Sequence, residues 1–518
     1  MNPPRFLKII ILLLFFIIIL LPVLYIVSLP AAAIEFERIF EKRQIGLMIN
    51  SLLLACGTTF FSLLIGIPSG FLLTQVSARL KTVFLICFLI PILIPTYIQA
   101  IVWNHISLYI NQYFSMVNFH TIEGAIFILT LSYFSYVTML TFSGIQSIDR
   151  NLIEIALLSS DKWTTLYKIV LPLVFPHIFA SAIFVFVFSI IDFGVPDMLK
   201  VNVYPIEIFI QFSAFYDTQA AMVLSLPIIL FTIAIIILQK AYMKNRSYIQ
   251  IFGIQQEVAY AFSFKPYVFM ILLPLIFISA ILPIVVLIIK SGAFSNYVNV
   301  WLSSKSQIFY SLYISVISSV CVTCFGFLLA VMIEKSSHKV NQAIDYISMI
   351  PLAIPATTVG ICMIQLWNQP YIDAVYSSSG IIILAYMLRF MPFSLLIISS
   401  GLKKINKNVE ESALQIGCSW TGVILHITVP LMRPILLIAF FFVFILSFSE
   451  LGTTVLLMPP GNETIPVKIY NLMHYGAYEL VNALCLILLG IIISVSTFSL
   501  IIFQKVFNPI KENKYDRS

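Results

Sequence analysis

Apolar residues occur along this chain in long continuous runs that short polar segments separate. A run of roughly 20 apolar residues is long enough to cross the hydrocarbon core of a bilayer as a helix. Continuous runs favour helices over membrane strands, in which apolar and polar positions alternate. There are twelve runs, covering residues 7–29, 48–75, 82–103, 123–145, 173–193, 219–240, 265–290, 307–333, 343–367, 378–400, 431–455 and 478–504. The pattern predicts an all-α membrane protein with twelve transmembrane helices.

The composition supports this prediction. Hydrophobic residues make up 60% of the 518 residues and charged residues only 10%, whereas soluble domains have about 25% charged residues. The first run follows Arg5 and Lys8, as the apolar core of a signal peptide would. That core is usually only about 7–15 residues long, however, and this run is longer. We therefore expect the first run to be retained as a transmembrane helix.

The positions of Lys and Arg predict the orientation. If the N-terminus is cytoplasmic and each run crosses the membrane, these residues lie on the cytoplasmic side roughly three times as often as outside, in agreement with the positive-inside rule. Both termini are then cytoplasmic. The net charge of +7 follows from this topology and gives no reason to expect a nucleic-acid partner.

The two halves of the chain carry matching residues about 260 positions apart, which indicates a tandem repeat. Matching pairs include Ser51 and Ser311, Asp192 and Glu450, and Pro205 and Pro466. Because each half has six runs, an even number, both repeats have the same orientation in the membrane. We predict a first transmembrane repeat over residues 1–258 and a second over residues 259–518, joined by the polar stretch 240–265.

One short motif occurs in each repeat, between two apolar runs. The first copy consists of Glu154-Ile155-Ala156, Ser160, Ile169, Leu171 and Pro172. The second copy consists of Glu411-Ser412-Ala413, Gly417, Ile427, Val429 and Pro430. The first copy has serine where the second has glycine, and it is one residue shorter before its proline.

The apolar positions of the second copy recur at helical spacing, which predicts a short amphipathic helix. Gly417 permits a turn that would strain a larger residue. Pro430 suits the first turn of the span that follows. The competing interpretation is an ordinary charged connector, and two copies at the same topological place argue against it.

Both copies resemble the E-A-A-x3-G-x9-I-x-L-P loop of ABC importer permeases, the cytoplasmic coupling helix that docks onto an ATPase. The resemblance implies a type I importer architecture in which the two six-helix repeats supply both halves of the pore. The residues implied in ATPase coupling are Glu154, Ala156, Ser160 and Pro172 in the first loop, and Glu411, Ala413, Gly417 and Pro430 in the second.

The chain has no G-x-x-x-x-G-K-[ST] phosphate loop. We therefore expect a transport subunit that is not an enzyme, served by a separate ATP-binding homodimer. No segment outside the runs is long enough for a ligand-binding domain, so a separate periplasmic or surface substrate-binding protein is expected. The six histidines do not cluster at metal-ligand spacing, and we expect no metal site and no cofactor.

Three charged residues lie within or at the edge of apolar runs, where charges are costly and usually functional. Asp192 and Glu450 occupy equivalent places near the external ends of the fifth and eleventh runs, and Arg389 lies midway along the tenth. All three are candidates for the translocation path, where the carboxylates would attract a cation or hold a gate. The alternative is that they pair with neighbouring helices. We expect Arg389 to pair with a carboxylate or with carbonyls near Pro392.

The segment after Glu450 is similar to the corresponding stretch of fused iron(III) importer permeases. The residues are Glu450-Leu451-Gly452, Pro459-Pro460-Gly461, Glu463-Thr464, Pro466, Ile469-Tyr470-Asn471 and His474-Tyr475-Gly476. The resemblance implies ferric iron as the cargo, transported by alternating access across the bacterial inner membrane. Thiamine and 2-aminoethylphosphonate permeases of the same fused build are alternatives. An ion-coupled secondary transporter would also show repeats and membrane carboxylates, but it would not need two coupling loops.

Overall fold

The computed structural model describes residues 4–31, 35–113, 118–243, 265–334 and 339–507. Within these ranges every regular element is helical. Ten of the described helices are long and apolar enough to cross a membrane, and two further apolar segments are each a pair of helices that meet at a sharp bend. Counting each bent pair as one crossing gives twelve. The predicted all-α membrane fold is therefore confirmed.

The helices follow one another in the same order in both halves of the chain, apart from α15 of the second half, which has no counterpart among the described residues of the first. The first half has α1 (Arg5–Ser28), α2 (Lys42–Leu73), α3 (Leu80–Leu93), α4 (Thr96–Asn111), α5 (Ile122–Gln146), α6 (Arg150–Ser159), α7 (Lys162–Ile190), α8 (Gly194–Met198), α9 (Tyr204–Ser213) and α10 (Thr218–Tyr242). The second half has α11 (Val268–Lys290), α12 (Phe294–Glu334), α13 (Asn341–Ala353), α14 (Ala356–Trp367), α15 (Asp373–Tyr376), α16 (Gly380–Leu402), α17 (Lys407–Gln415), α18 (Trp420–Phe448), α19 (Thr454–Leu457), α20 (Ile465–His474) and α21 (Tyr478–Phe503).

The third and ninth apolar runs are each broken at a proline. α3 meets α4 at 89°, and α13 meets α14 at 109°. Pro95 precedes α4 and Pro355 precedes α14. A proline disfavours helical backbone in the residue before it, and Ile94 and Ile354 are extended. Each run alone predicts a continuous span, and the structure corrects that prediction.

In the described part of the chain, each π-helical turn ends two residues before a proline. The turns are Phe16–Leu20, Leu166–Val170, Phe277–Ile281 and Ile424–Thr428, and the prolines are Pro22, Pro172, Pro283 and Pro430. A proline in a helix lacks the N–H donor and clashes with the carbonyl four residues earlier. The wider π turn moves that carbonyl away from the ring.

These turns correct the predicted position of Pro430. The helix that contains it, α18, begins at Trp420, so Pro430 lies behind a π turn inside the span and not in the first turn. Pro172 has the same position in α7, which begins at Lys162. Polar residues near the start of each helix lower the local hydropathy, and the apolar runs therefore place both starts about ten residues too late.

Residues 35–293 form one compact unit, the middle unit. Its core joins α2, α3 and α5 to α11 and includes Leu72, Phe88, Phe134 and Leu272. Gly66 lets α2 approach α5 closely, because a Cβ at Gly66 would lie 2.5 Å from the Cβ of Val137. Such close packing through small residues is typical of membrane helices.

Residues 1–34 and 294–518 form the other compact unit, the outer unit. In it α12, α16 and α18 pack against one another, and α1 packs against α12 and α14. The unit thus contains the first helix of the first repeat, and the middle unit contains α11, the first helix of the second repeat. The predicted repeat boundary at 258/259 lies outside the described residues and stays a prediction.

Candidate functional site

The first motif loop, for which the resemblance predicts a coupling role and which is called the first coupling loop below, is a helix and a short turn held by side-chain hydrogen bonds. Asp149 caps the start of α6 by accepting from the Asn151 N–H at 2.9 Å. Such caps satisfy donors that the first helical turn leaves unpaired. At the other end the Ser160 hydroxyl lies 2.9 Å from the Ala156 carbonyl and 2.9 Å from the Thr165 hydroxyl. The backbone of Ser160 is extended, with φ −148°, a conformation that any residue adopts.

Asp161 begins the next helix of the first loop. Its carboxylate accepts from the backbone N–H groups of Trp163 and Thr164 at 3.1 and 3.2 Å. Hydrogen bonds from the Thr164 side chain and backbone lower the pKa of Asp161, because they stabilise the charged carboxylate. The start of α7 is therefore fixed at the end of a two-residue turn.

The second coupling loop has the same parts with a longer turn. Asn406 caps α17 by accepting from the Asn408 N–H at 3.0 Å, and Ser419 caps α18 by accepting from the Gly422 N–H at 3.1 Å. Between these helices Gly417 has φ +93°. No atom lies within 4 Å of the position that a Cβ would take there. Glycine is therefore required by its backbone conformation and not by lack of space.

The predicted motif residues divide between a buried and an exposed face in the same way in both loops. Ala156 and Ala413 are buried, and Glu154 and Glu411 are exposed. A buried alanine lets the short helix pack closely on its own unit. The exposed carboxylates point away from that contact and are accessible to another molecule.

Glu410 is a residue of the second loop that the motif did not identify. Its carboxylate is only 5% exposed and accepts from the Thr428 hydroxyl at 2.7 Å. Thr428 ends the π turn before Pro430, so this bond ties α17 to α18. The equivalent residues of the first loop, Ile153 and Val170, are both buried in an apolar cluster. The one signal in the sequence is the pair of adjacent acids, and it does not show which is buried.

Asp192 lies beside the break between α3 and α4, within the middle unit. Its carboxylate accepts from the Thr96 hydroxyl at 3.0 Å, from the Val195 N–H at 2.9 Å and from the Tyr133 hydroxyl at 3.5 Å. Thr96 is the first residue of α4. The carboxylate thus ties the end of the fifth span to the broken third span.

Glu450 has the equivalent position in the outer unit. It pairs with Arg389, whose Nε lies 3.2 Å from the carboxylate, and it accepts from the Thr453 N–H at 3.0 Å. The Thr453 hydroxyl in turn donates to the carbonyl of Ala356, the first residue of α14, at 3.2 Å. Arg389 therefore has a carboxylate partner, one of the two kinds of partner expected for it.

The short helices α9 and α20 are attached to the long helices α2 and α12 by a serine in each unit. The Tyr204 N–H donates to the Ser51 hydroxyl at 2.8 Å, and the Ile465 N–H donates to the Ser311 hydroxyl at 2.8 Å. Both serines are buried. The matching of Ser51 with Ser311 in the sequence thus reflects a shared contact.

Among the residues that the structure describes, no three His, Cys, Asp or Glu side chains are grouped to hold a metal ion.

Comparison with known proteins places these features in a family. A family model described as a binding-protein-dependent transport system inner membrane component matches residues 62–247 and 322–511. The ferric transport system permease protein FbpB of Actinobacillus pleuropneumoniae is 23% identical over 491 residues, 87% of this chain and 70% of that protein. The Fe(3+)-transport system permease protein FbpB 2 of Haemophilus influenzae is 22% identical over 490 residues, 91% of this chain and 93% of that protein.

A shorter relative matches one part of the chain. The putative 2-aminoethylphosphonate transport system permease protein PhnV of Salmonella typhimurium is 28% identical over 181 residues, 35% of this chain and 68% of that protein. The two matches of the family model correspond to the two repeats that the sequence predicts.

Proposed function

The chain belongs to the family of binding-protein-dependent transport system inner membrane components, and we propose that it is the permease subunit of an ATP-driven ABC importer of ferric iron. The observation that carries the proposal is the pair of coupling loops at equivalent places in one chain. The cargo is supported by similarity over most of the chain to proteins named as ferric transport permeases. The aminoethylphosphonate relative covers about a third of the chain.

We place both coupling loops on the cytoplasmic side, with both termini, in the bacterial inner membrane. If each bent pair is one crossing, four spans separate the N-terminus from the first loop, and six separate the two loops. Both numbers are even, so the loops share the side of the N-terminus. If the bent pairs returned to the side they entered, the two equivalent loops would face opposite sides. The excess of Lys and Arg supports the cytoplasmic assignment.

The proposed partners are a separate ATPase and a separate substrate-binding protein. No phosphate-loop motif occurs in the sequence, so the energy for transport comes from another subunit, and a homodimer offers one docking site to each loop. A loaded binding protein docks outside, and ATP closes the ATPase dimer. The coupling helices then move, and the spans change their access from one side to the other.

We propose that Asp192, Glu450 and Arg389 contribute to the translocation path. They would do so by attaching the two broken spans to the helices beside them. Each carboxylate is hydrogen-bonded next to a break, and the Arg389–Glu450 pair is mostly buried, with side chains 18% and 10% exposed. A break at these places can open or close only if those contacts adjust. The polar junctions are therefore candidates for a gate, held through hydrogen bonds.

The cargo is tested in a strain from which this chain is deleted. We expect impaired growth under iron limitation and reduced uptake of labelled ferric iron, both restored by the unaltered chain. Growth without added thiamine and on 2-aminoethylphosphonate as the phosphorus source should remain normal. A strain that takes up iron normally but needs thiamine, or cannot use the phosphonate, would assign another cargo and leave the importer class intact.

A further inference from the structure

The two coupling helices differ in the face that they leave exposed. Several equivalent positions are exposed in both helices, among them three that are spaced three residues apart. These are Leu152, Ile155 and Leu158 in α6, and Val409, Ser412 and Gln415 in α17. The spacing of three residues places them on one side of each helix. Ser159 and its equivalent Ile416, which is 82% exposed just after α17, lie on the same side, so this face has three apolar residues of four in the first loop and two of four in the second.

The apolar surface of the first loop continues into the next helix. Trp163 and Tyr167 are both exposed, and their rings stack with centroids 6.1 Å apart and an angle of 20°. In the second loop, Trp420 is half-buried. Aromatic side chains are the residues that most often anchor protein interfaces. The first loop thus presents an aromatic pair beside its apolar helix face.

The exposed face of α6 is not needed to pack the helix on its own unit. Ile153 and Ala156, on the other side of α6, are buried and make that contact. Ile155 and Leu158 remain 65% and 89% exposed. An apolar surface of this kind usually marks an interaction site, since monomeric soluble proteins seldom expose large contiguous apolar patches.

The charges around this face favour a protein partner over lipid. Helices that lie in the membrane interface rely on Lys and Arg on their polar face to attract anionic lipid. The loop from Asp149 to Lys168 contains three acidic residues, Asp149, Glu154 and Asp161, and three basic residues, Arg150, Lys162 and Lys168. This balance gives no net attraction to an anionic leaflet.

We infer that the first coupling helix supplies most of the affinity for the ATPase, through an apolar cleft on that subunit, and that the second helix supplies little. The inference rests on the proposed function, because it assigns unequal roles to the two docking loops. An ATPase homodimer has two identical clefts. The larger apolar face then binds more strongly, because burial of apolar area provides the main free energy of association.

An exchange of residues between the two helices tests this assignment. Ile155→Ser with Leu158→Gln gives the first helix the polar residues of the second. The reciprocal variant, Ser412→Ile with Gln415→Leu, is the matched control. The full chain is purified in nanodiscs, and its dissociation constant for the purified ATPase subunit of the same importer is measured. We expect at least tenfold weaker binding from the first variant and unchanged or tighter binding from the second, with thermal unfolding unchanged in both.

The outcomes separate the inference from the proposed function. If the unaltered chain binds no ATPase, the proposed function fails and the inference fails with it. If it binds and the first exchange leaves the dissociation constant unchanged, only the inference is overturned. The lipid alternative is tested with brominated lipids, by comparing the chain with a Trp163→Phe variant. Quenching of the Trp163 emission would place this surface in the bilayer and also overturn the inference.

Discussion

Gly417 offers the most direct test of the proposal that the second coupling loop transmits motion. Its φ of +93° lies in a region where an L-residue costs about 1–2 kcal/mol relative to glycine. Because no atom lies within 4 Å of the position of a Cβ, alanine adds no clash, and the whole cost is backbone strain. A cost of about 1.4 kcal/mol corresponds to a tenfold change in an equilibrium. Gly417→Ala should therefore reduce the population of the native turn about tenfold relative to other conformations.

We expect this variant to lower transport more than ATPase binding. Uptake by cells, normalised to the amount of permease in the membrane, should fall by up to about tenfold, and the dissociation constant for the ATPase should change much less. Cys418→Ala is the control, because Cys418 is exposed in the same turn and does not have a positive φ. Normal uptake by the glycine variant, or an equal loss in the control, would refute the argument from backbone strain.

Three other perturbations have distinct expected outcomes. Glu450→Gln leaves the mostly buried Arg389 without its charge partner, which is costly. It should lower the thermal unfolding temperature more than Asp192→Asn, because Thr96, Tyr133 and the Val195 N–H are neutral donors and asparagine keeps one acceptor oxygen for them; equal losses would contradict this. Ser311→Ala leaves the N–H at the start of α20 unpaired, at about 1–3 kcal/mol, and Ser311→Thr should restore the unfolding temperature if the hydroxyl is what matters. Pro430→Ala removes the reason for the π turn, and we expect ATP hydrolysis to become less coupled to uptake. Pro434→Ala is the control and should have less effect, because no π turn ends two residues before Pro434.

The helices, including the short helices of the two motif loops, could be predicted from the sequence because each depends on local composition. The breaks in the third and ninth spans could not, although a proline marks each one. Pro68 lies inside the unbroken helix α2, so a proline in an apolar run does not by itself show whether the span continues. What differs at Pro95 and Pro355 is the neighbouring junction, where Asp192 or Thr453 bonds to the first residue of the next helix.

The packing of the first helix of each repeat could not be predicted for a different reason. α1 and α11 are apolar almost all around, so their sequences do not specify which helices they contact. The six-helix repeat is defined by matching residues along the sequence, whereas the compact unit depends on contacts between distant segments. The burial of Glu410 is likewise set by Thr428, a residue of another helix.

The places where the repeats agree and differ indicate how work is divided between them. The buried serine caps and the prolines behind π turns recur in both repeats, because each fixes backbone geometry that both halves of a pore need. The coupling loops are among the places where the repeats differ, since Gly417 replaces Ser160, and Glu410 replaces Ile153. The second loop is thus held to its span by a specific turn and a buried hydrogen bond, and the first exposes more apolar surface. A chain with both repeats fused can separate these tasks, because each loop always occupies its own position, whereas a homodimer of one repeat would have to combine them in a single loop.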